Sequence, residues 1–223
     1  MRMKILVIGD LYHFEECRQK LGAHRYTHLK SRAEAEKILM THEVIFDFLI
    51  DEAPGSFGMY ADKPVTVFFN TCKISLAEIT RFSKGDFQCK LFGFNGMPTL
   101  FNRKILELCL LKSDDTLLLQ RVCDELNTEY SIVDDRVGMV TPRVICMIIN
   151  EAYFTVQEGT ASREDIDLAM KLGTNYPYGP FEWCQKIGIK NVYELLEALF
   201  RDTKDERYKI SALLKKEYLK VRV

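Results

Sequence analysis

The chain has 223 residues, 47% hydrophobic and 28% charged, with a formal net charge of −1. That length suits one large domain or two small ones with an ample core, and the charge excludes the basic footprint of a nucleic-acid or anionic-membrane binder. Seven cysteines, an odd set with no Cys-x-x-Cys pair, exclude a disulfide framework or zinc site and point to a reducing compartment. The basic start Met1-Arg2-Met3-Lys4 leads into an apolar run too short for a signal peptide, and no run reaches membrane-spanning length, so the chain is expected in the cytoplasm.

The N-terminal half alternates strands with helices. Residues 4–8 (KILVI) form an aliphatic run of the kind buried on both faces of a parallel sheet. Gly9 and Asp10 end it, residues 11–21 read as a helix closing at Gly22, and residues 24–29 as a second short strand. Residues 31–40 (SRAEAEKILM) predict a short helix capped by Ser31. Two more buried strands are expected at 44–50 (VIFDFLI) and 65–69 (VTVFF), joined by an irregular loop over 52–63. This alternation implies βαβ units and an α/β fold with an open, mostly parallel sheet. Residues 105–108 form a short apolar strand carrying Glu107. Residues 114–127 predict an amphipathic helix, capped by Ser113 or Asp114, with apolar positions 117, 118, 122 and 126. A last strand at 130–133 leads into a crossover at 134–138.

The remainder is helical. Residues 142–158, capped by Thr141, are apolar nearly all round, so this helix needs cover on every side, from its own domain and from a second copy. Gly159 supplies a left-handed end, Ser162 caps the next helix with Asp165 three residues on, and Gly173 stops it after Lys171. Pro177, Gly179 and Pro180 fix a rigid corner, with Pro180 at the first position of a new helix. Asn191 and Glu194 form a capping pattern for residues 192–201, and residues 211–220 read as a last helix whose Lys215, Lys216 and Lys220 make a solvated face.

A dinucleotide-cradling G-x-G-x-x-G needs glycines for the tight turn, the close phosphate approach and helix–strand packing. Counted from Gly9, the second and third positions are Leu11 and Phe14. A leucine stands where the pyrophosphate must reach the backbone, and Phe14 wedges helix from strand. The end of the second strand offers Leu29, Lys30 and Ser31 in place of a ribose-binding carboxylate. From these residues alone the turn reads as a strand–turn–helix without a nucleotide.

Longer strings carry a resemblance. EDIDLAMKLGTNYPYGPFEW and GMVTPRVICMIINEAYFTVQEG closely resemble the C-terminal domain of 3-hydroxyacyl-CoA dehydrogenases, and the similarity runs from about Asp134 to near the C-terminus. VFFNTCKISLAEI is similar to the family's N-T-S turn, and KLFGFNGMP to its H-F-F-N-P segment. The resemblance implies a shortened Rossmann-like domain over 1–133, then an all-α, 6-phosphogluconate-dehydrogenase-like domain over 134–223 through which the chain forms a homodimer. It implies NAD as cofactor, with Gly9, Asn70 and Thr71 on the cofactor side, an acyl-CoA ligand, and catalytic positions at Cys72, Asn95 and Glu107, the last the counterpart of the glutamate that orients the family's histidine. The family's general-acid/base histidine aligns with Phe92, its substrate-oxygen asparagine with Pro142, and its oxygen-binding serine with Cys72. Glu107 follows about three inserted residues. His13, His24, His28 and His42 lie far upstream and read as loop or surface residues. Three readings stay open: a member impaired in hydride transfer that still binds acyl-CoA, ranked first for mechanism; an active NAD-dependent dehydrogenase of fatty-acid or butanoate metabolism; and a non-catalytic dimeric interaction protein.

Overall fold

The computed structural model describes residues 2–81 and 86–221 and divides into two units, Met1–Met139 and Val140–Val223. Residues 134–139 go with the first unit, where the Gly138 N–H donates to the Cys72 carbonyl at 2.7 Å.

In the first unit, β1 (Lys4–Ile8) is buried at all but its first residue, as its unbroken aliphatic run requires. α1 (Leu11–Leu21) starts where the Asp10 carboxylate accepts the His13 N–H and ends at Gly22, whose φ of 76° suits a residue without a side chain. β2 (Arg25–Leu29) follows. The helix expected over 31–40 is instead two 3-10 turns, Arg32–Lys37 and Leu39–Thr41, and Ser31 makes no capping bond. Only Ala35 and Leu39 are buried there, too thin a stripe to reward an α-helix, and Arg32 is tethered to Asp47. β3 (Val44–Asp47) stops at Asp47 rather than Ile50, because the Asp47 carboxylate accepts the Leu49 N–H and turns the chain.

The 52–63 linker is ordered, contrary to expectation: a 3-10 turn, Pro54–Phe57, runs into α2 (Gly58–Ala61), burying Phe57 and Tyr60. β4 (Thr66–Asn70) leads to α3 (Leu76–Thr80), opened by a Ser75–Glu78 capping box. β5 (Lys90–Phe94), β6 (Ile105–Leu110), α4 (Thr116–Glu125) and β7 (Glu129–Ile132) complete the unit. A 3-10 turn over Ser113–Asp115 precedes α4, with no side-chain cap. The buried positions are Leu119, Val122, Cys123 and Leu126, a full helical period, while Leu117 is 75% exposed.

The seven strands lie in the order β2-β1-β3-β4-β5-β6-β7. β2 through β5 run parallel, β6 is antiparallel to β5, and β7 is parallel to β6. The common Rossmann order 3-2-1-4-5-6 has two strands beyond β1 on its far side; here β2 stands there alone, so the sheet is Rossmann-like and shortened. The chain reverses its direction of winding between β1 and β3, which is where such sheets take ligands. Phe46, Phe68 and Phe92 stand in register on β3, β4 and β5, with ring centroids 4.8 and 5.1 Å apart, and form an aromatic ladder through the core.

The second unit holds α5 (Thr141–Gln157), α6 (Arg163–Thr174), α7 (Pro180–Ile187), α8 (Ile189–Thr203) and α9 (Ala212–Val221). Gly159 takes φ 72° and Ser162 accepts the Asp165 N–H, as expected. Gly173 stays inside α6, and the left-handed end falls to Asn175 at φ 55°. Asn191 sits inside α8 and donates back to the Ile187 carbonyl at 2.9 Å, closing α7 rather than opening α8. Asn150, 2% exposed, ties α5 to the start of α9 by donating to the Lys209 carbonyl and accepting the Ser211 N–H. Val144 of α5, and Val140 just before its first turn, are about half exposed, so the cover expected on every side is incomplete there. Among the described residues no helix is long and apolar enough to cross a membrane.

The corner between α6 and α7 has one physical key. The Asp167 carboxylate accepts the Phe181 N–H at 2.8 Å and the Glu182 N–H at 3.1 Å, so a residue of α6 caps α7. A side chain at Gly179, the usual capping position, would fall 2.3 Å from that carboxylate. Gly179 therefore has no room for a cap of its own. Asp167→Ala should lower stability by about 1–2 kcal/mol, read from urea unfolding of the whole chain; a change within ~0.3 kcal/mol would refute the capping role.

Candidate functional site

Gly9, Asn70, Thr71, Cys72 and Asn95 all lie at the carboxyl ends of parallel strands, on the edge where open α/β sheets receive ligands. The structure gathers four of them into one buried cluster. Asn70, 6% exposed, donates from Nδ2 to the Phe48 carbonyl at 3.3 Å, and its Oδ1 accepts the Gly96 N–H at 3.1 Å and the Cys72 N–H at 3.4 Å. Asn95 mirrors it: Oδ1 accepts the Met97 N–H at 3.2 Å and the Cys72 thiol at 3.3 Å. Thr71 donates its N–H to the Phe94 carbonyl, with Oγ1 3.6 Å from Cys109 Sγ.

Glu107 joins through its backbone, its carbonyl accepting the Asn95 N–H at 3.1 Å. Gly9 stands apart and reaches the cluster through Phe48. A Cβ on Gly9 would lie 3.1 Å from that of His13 and 3.2 Å from that of Phe48, because His13 stacks on Phe48 at 4.5 Å above the turn. His28 Nε2 lies 2.9 Å from the Gly9 carbonyl, and Phe14 stacks on His28 at 4.6 Å. Leu11 is 59% exposed.

The electrostatics of the cluster are those of neutral groups. Burial pushes the Cys72 thiol up to about 12, and the charges of Asp51 and Glu107 add to it, so it is a protonated, weak hydrogen-bond donor near neutral pH. Phe92 is fully buried in the aromatic ladder and has no proton to give. The four histidines are half-buried rather than surface residues. Burial lowers the pKa of His13 from the ordinary imidazole value. The Cys72 thiol and the Asn70 amide spend their donors inside the cluster, on Asn95 Oδ1 and the Phe48 carbonyl, so the cluster shapes the edge; it places no histidine beside Asn95.

One group at this edge had a readable signal. Asp47, with no exposed surface, accepts two bonds from the Arg32 guanidinium at 2.7 Å each, a third from Tyr60 at 2.8 Å and a fourth from the Leu49 N–H. A lone carboxylate inside the apolar run VIFDFLI must find such partners, and its placement in that run could have announced them. Nothing in the local pattern pointed to Arg32.

Residues 138–222 match the family described as 3-hydroxyacyl-CoA dehydrogenase, C-terminal domain. Over 87 residues, 39% of this chain and 18% of its relative, the sequence is 45% identical to the 3-hydroxyadipyl-CoA dehydrogenase of Escherichia coli strain K12. Over 150 residues, 66% of this chain, it is 31% identical to a probable 3-hydroxybutyryl-CoA dehydrogenase of Bacillus subtilis strain 168, and it spans about half of that protein, 52%. The solved structure of the (S)-3-hydroxybutyryl-CoA dehydrogenase of Ralstonia eutropha matches with a TM-score of 0.72, over 99% of this chain and 95% of that one. At 17% identity this last is a likeness of fold.

The cluster leaves no room for a side chain at Gly96. A Cβ on Gly96 would stand 2.7 Å from the Asn70 amide carbon, whereas one on Gly55 meets nothing within 4 Å. Gly96→Ala should cost about 1–3 kcal/mol by overpacking, with Gly55→Ala near neutral as the control, both read from urea unfolding. Equal effects at the two positions would contradict the packing described.

Proposed function

We propose that this chain, which belongs to the 3-hydroxyacyl-CoA dehydrogenase family through its C-terminal domain, binds an acyl-CoA thioester and is impaired in NAD-dependent hydride transfer. The observation that carries the reading is the start of α1. A dinucleotide pyrophosphate sits on the free N–H groups of that helix end. Here the Asp10 carboxylate accepts the His13 N–H and sets a negative charge there, while the His13–Phe48 stack closes over Gly9. Phe14 and His28 fill the space between α1 and β2. These residues do not fit a pyrophosphate.

Proton transfer is the second loss. With Phe92 in the ladder and the Cys72 thiol pushed up to about 12, the cluster lacks a group that titrates near neutral pH in the family's histidine position. Absence of such a base costs ~10²–10⁴ in rate. What remains of the family pattern at the ligand edge is Asn70, Asn95 and Cys72, bonded to one another and to the neighbouring backbone, so the binding half of the reading is supported by the relatives. The relatives' names speak of hydroxyacyl-CoA substrates, and fatty-acid or butanoate metabolism is the corresponding setting. The stripe of α5 with Val140 and Val144 exposed supports pairing with the same stripe of a second copy, a homodimer of the family kind. Seven buried, free cysteines support a reducing compartment such as the cytoplasm.

A thermal-shift titration tests the reading. Acetoacetyl-CoA alone, at about 100-fold its Kd, should stabilise the chain by ~2.7 kcal/mol, and NADH should leave it unmoved. An NADH shift would overturn the reading of α1. A shift with neither ligand would favour the dimeric interaction protein.

A further inference from the structure

α1 carries a buried carboxyl that the sheet-edge cluster does not use. Glu16 is 6% exposed. Its Oε1 accepts the Thr99 N–H at 2.9 Å and the Tyr12 hydroxyl at 3.3 Å, while Oε2 is buried with no hydrogen-bond partner among the described residues. Thr99 stands at φ 66°, a left-handed conformation that a β-branched residue keeps only when held. It sits in the turn between β5 and β6, residues 95–104. That same turn sends the Met97 N–H to Asn95 Oδ1 and the Gly96 N–H to Asn70 Oδ1. Further ties to α1 come at the far end of the turn, where Asn102 donates to Gln19 at 2.9 Å and the Lys20 ammonium donates to the Arg103 and Lys104 carbonyls. Glu16 therefore holds, from the helix side, the loop whose other side orients both asparagines.

A buried carboxylate with one unpartnered oxygen is costly, whereas a carboxylic acid carries its own proton on that oxygen. The titratable groups that face Glu16 come from α1 itself: Tyr12, its hydrogen-bond donor, and Asp10, whose negative charge opposes ionisation. The turn contributes the Thr99 backbone N–H and no charge to that contact. We propose that Glu16 is a proton-operated latch: in its neutral form it holds the turn on α1, and on ionisation it loosens the turn and with it the backbone donors that orient Asn70 and Asn95.

Burial pushes Glu16 up to about 7 from the ordinary 4.5, against the pull of the Thr99 and Tyr12 bonds, so the latch works near neutral pH. Below 4.5 the group is protonated in both folded and unfolded chain. As pH rises from there to about 7 the unfolded chain ionises first, so stability falls, and the fall is complete once the folded form has ionised as well. The latch stands on the geometry of the turn and does not rest on the thioester reading.

The test pairs a carboxyl-carbon NMR titration of Glu16 with amide hydrogen exchange at Met97 and Thr99, in the wild type and in Glu16→Gln. Glutamine keeps the acceptor for Thr99 and cannot ionise. The expected result is a Glu16 midpoint between about pH 6 and 8. Over that interval wild-type protection at both amides, corrected for intrinsic exchange, should fall about tenfold, with a flat profile in the variant. Glu16→Gln keeps His13, which burial lowers, so any histidine contribution appears in both proteins. A Glu16 midpoint below about 5, or the same pH profile in both proteins, would overturn the latch. Should Glu16→Gln fail to fold, the wild-type midpoint decides alone.

Discussion

The first unit depends on one buried amide. Asn70, at the end of β4, reaches β3 by donating to the Phe48 carbonyl and the loop after β5 by accepting the Gly96 N–H, while it also accepts the Cys72 N–H of its own turn. A buried polar side chain must satisfy both ends of its amide or cost more than it contributes. Because its partners are backbone groups on three separate segments, satisfying Asn70 fixes where those segments lie. The loops that carry Phe48, Cys72 and Asn95 are therefore set by one residue, and Gly96 is a glycine because that residue stands against it.

From this constraint the character of the edge follows. Phe48, held by its carbonyl, presents its ring to His13, and the pair covers Gly9. The helix behind it meets its own need for an anion through Asp10. On the proposed reading, the family's sheet edge has kept its amides and given up its phosphate seat and its proton. The helical unit is governed by a separate key, Asp167, which caps α7 from α6 and explains in one stroke the glycine before Pro180. Lys171 and Glu182, paired at 2.5 Å, close the same corner from outside.

Local chemical markers made α1 and the start of α7 readable to the residue, while Gly173 marked a stop that α6 passes. α1 lies between Asp10 and Gly22, and α7 begins at Pro180, as their capping chemistry requires. Reading failed where a distant partner decides. Residues 31–40 have good helix formers, yet Arg32 is bound to Asp47, which is buried on β3, and the segment winds as 3-10 turns. Asn191 looks like a helix start and serves the end of the preceding helix. Among the site residues, Asn70, Thr71, Cys72 and Asn95 were visible through resemblance and do come together. Glu16 was not visible, since a glutamate on a short amphipathic helix carries no local sign that the 95–104 turn will cover it. Asp167 was hidden for the same reason: its partners arrive from another helix.

On the proposed function, this edge binds a thioester without transferring hydride. The most direct measurement is reduction of acetoacetyl-CoA by NADH with the purified chain, followed by loss of nicotinamide absorbance. The account predicts a rate no higher than that of the protein-free reaction. Turnover in the ordinary enzymatic range of about 1–10³ per second would contradict it.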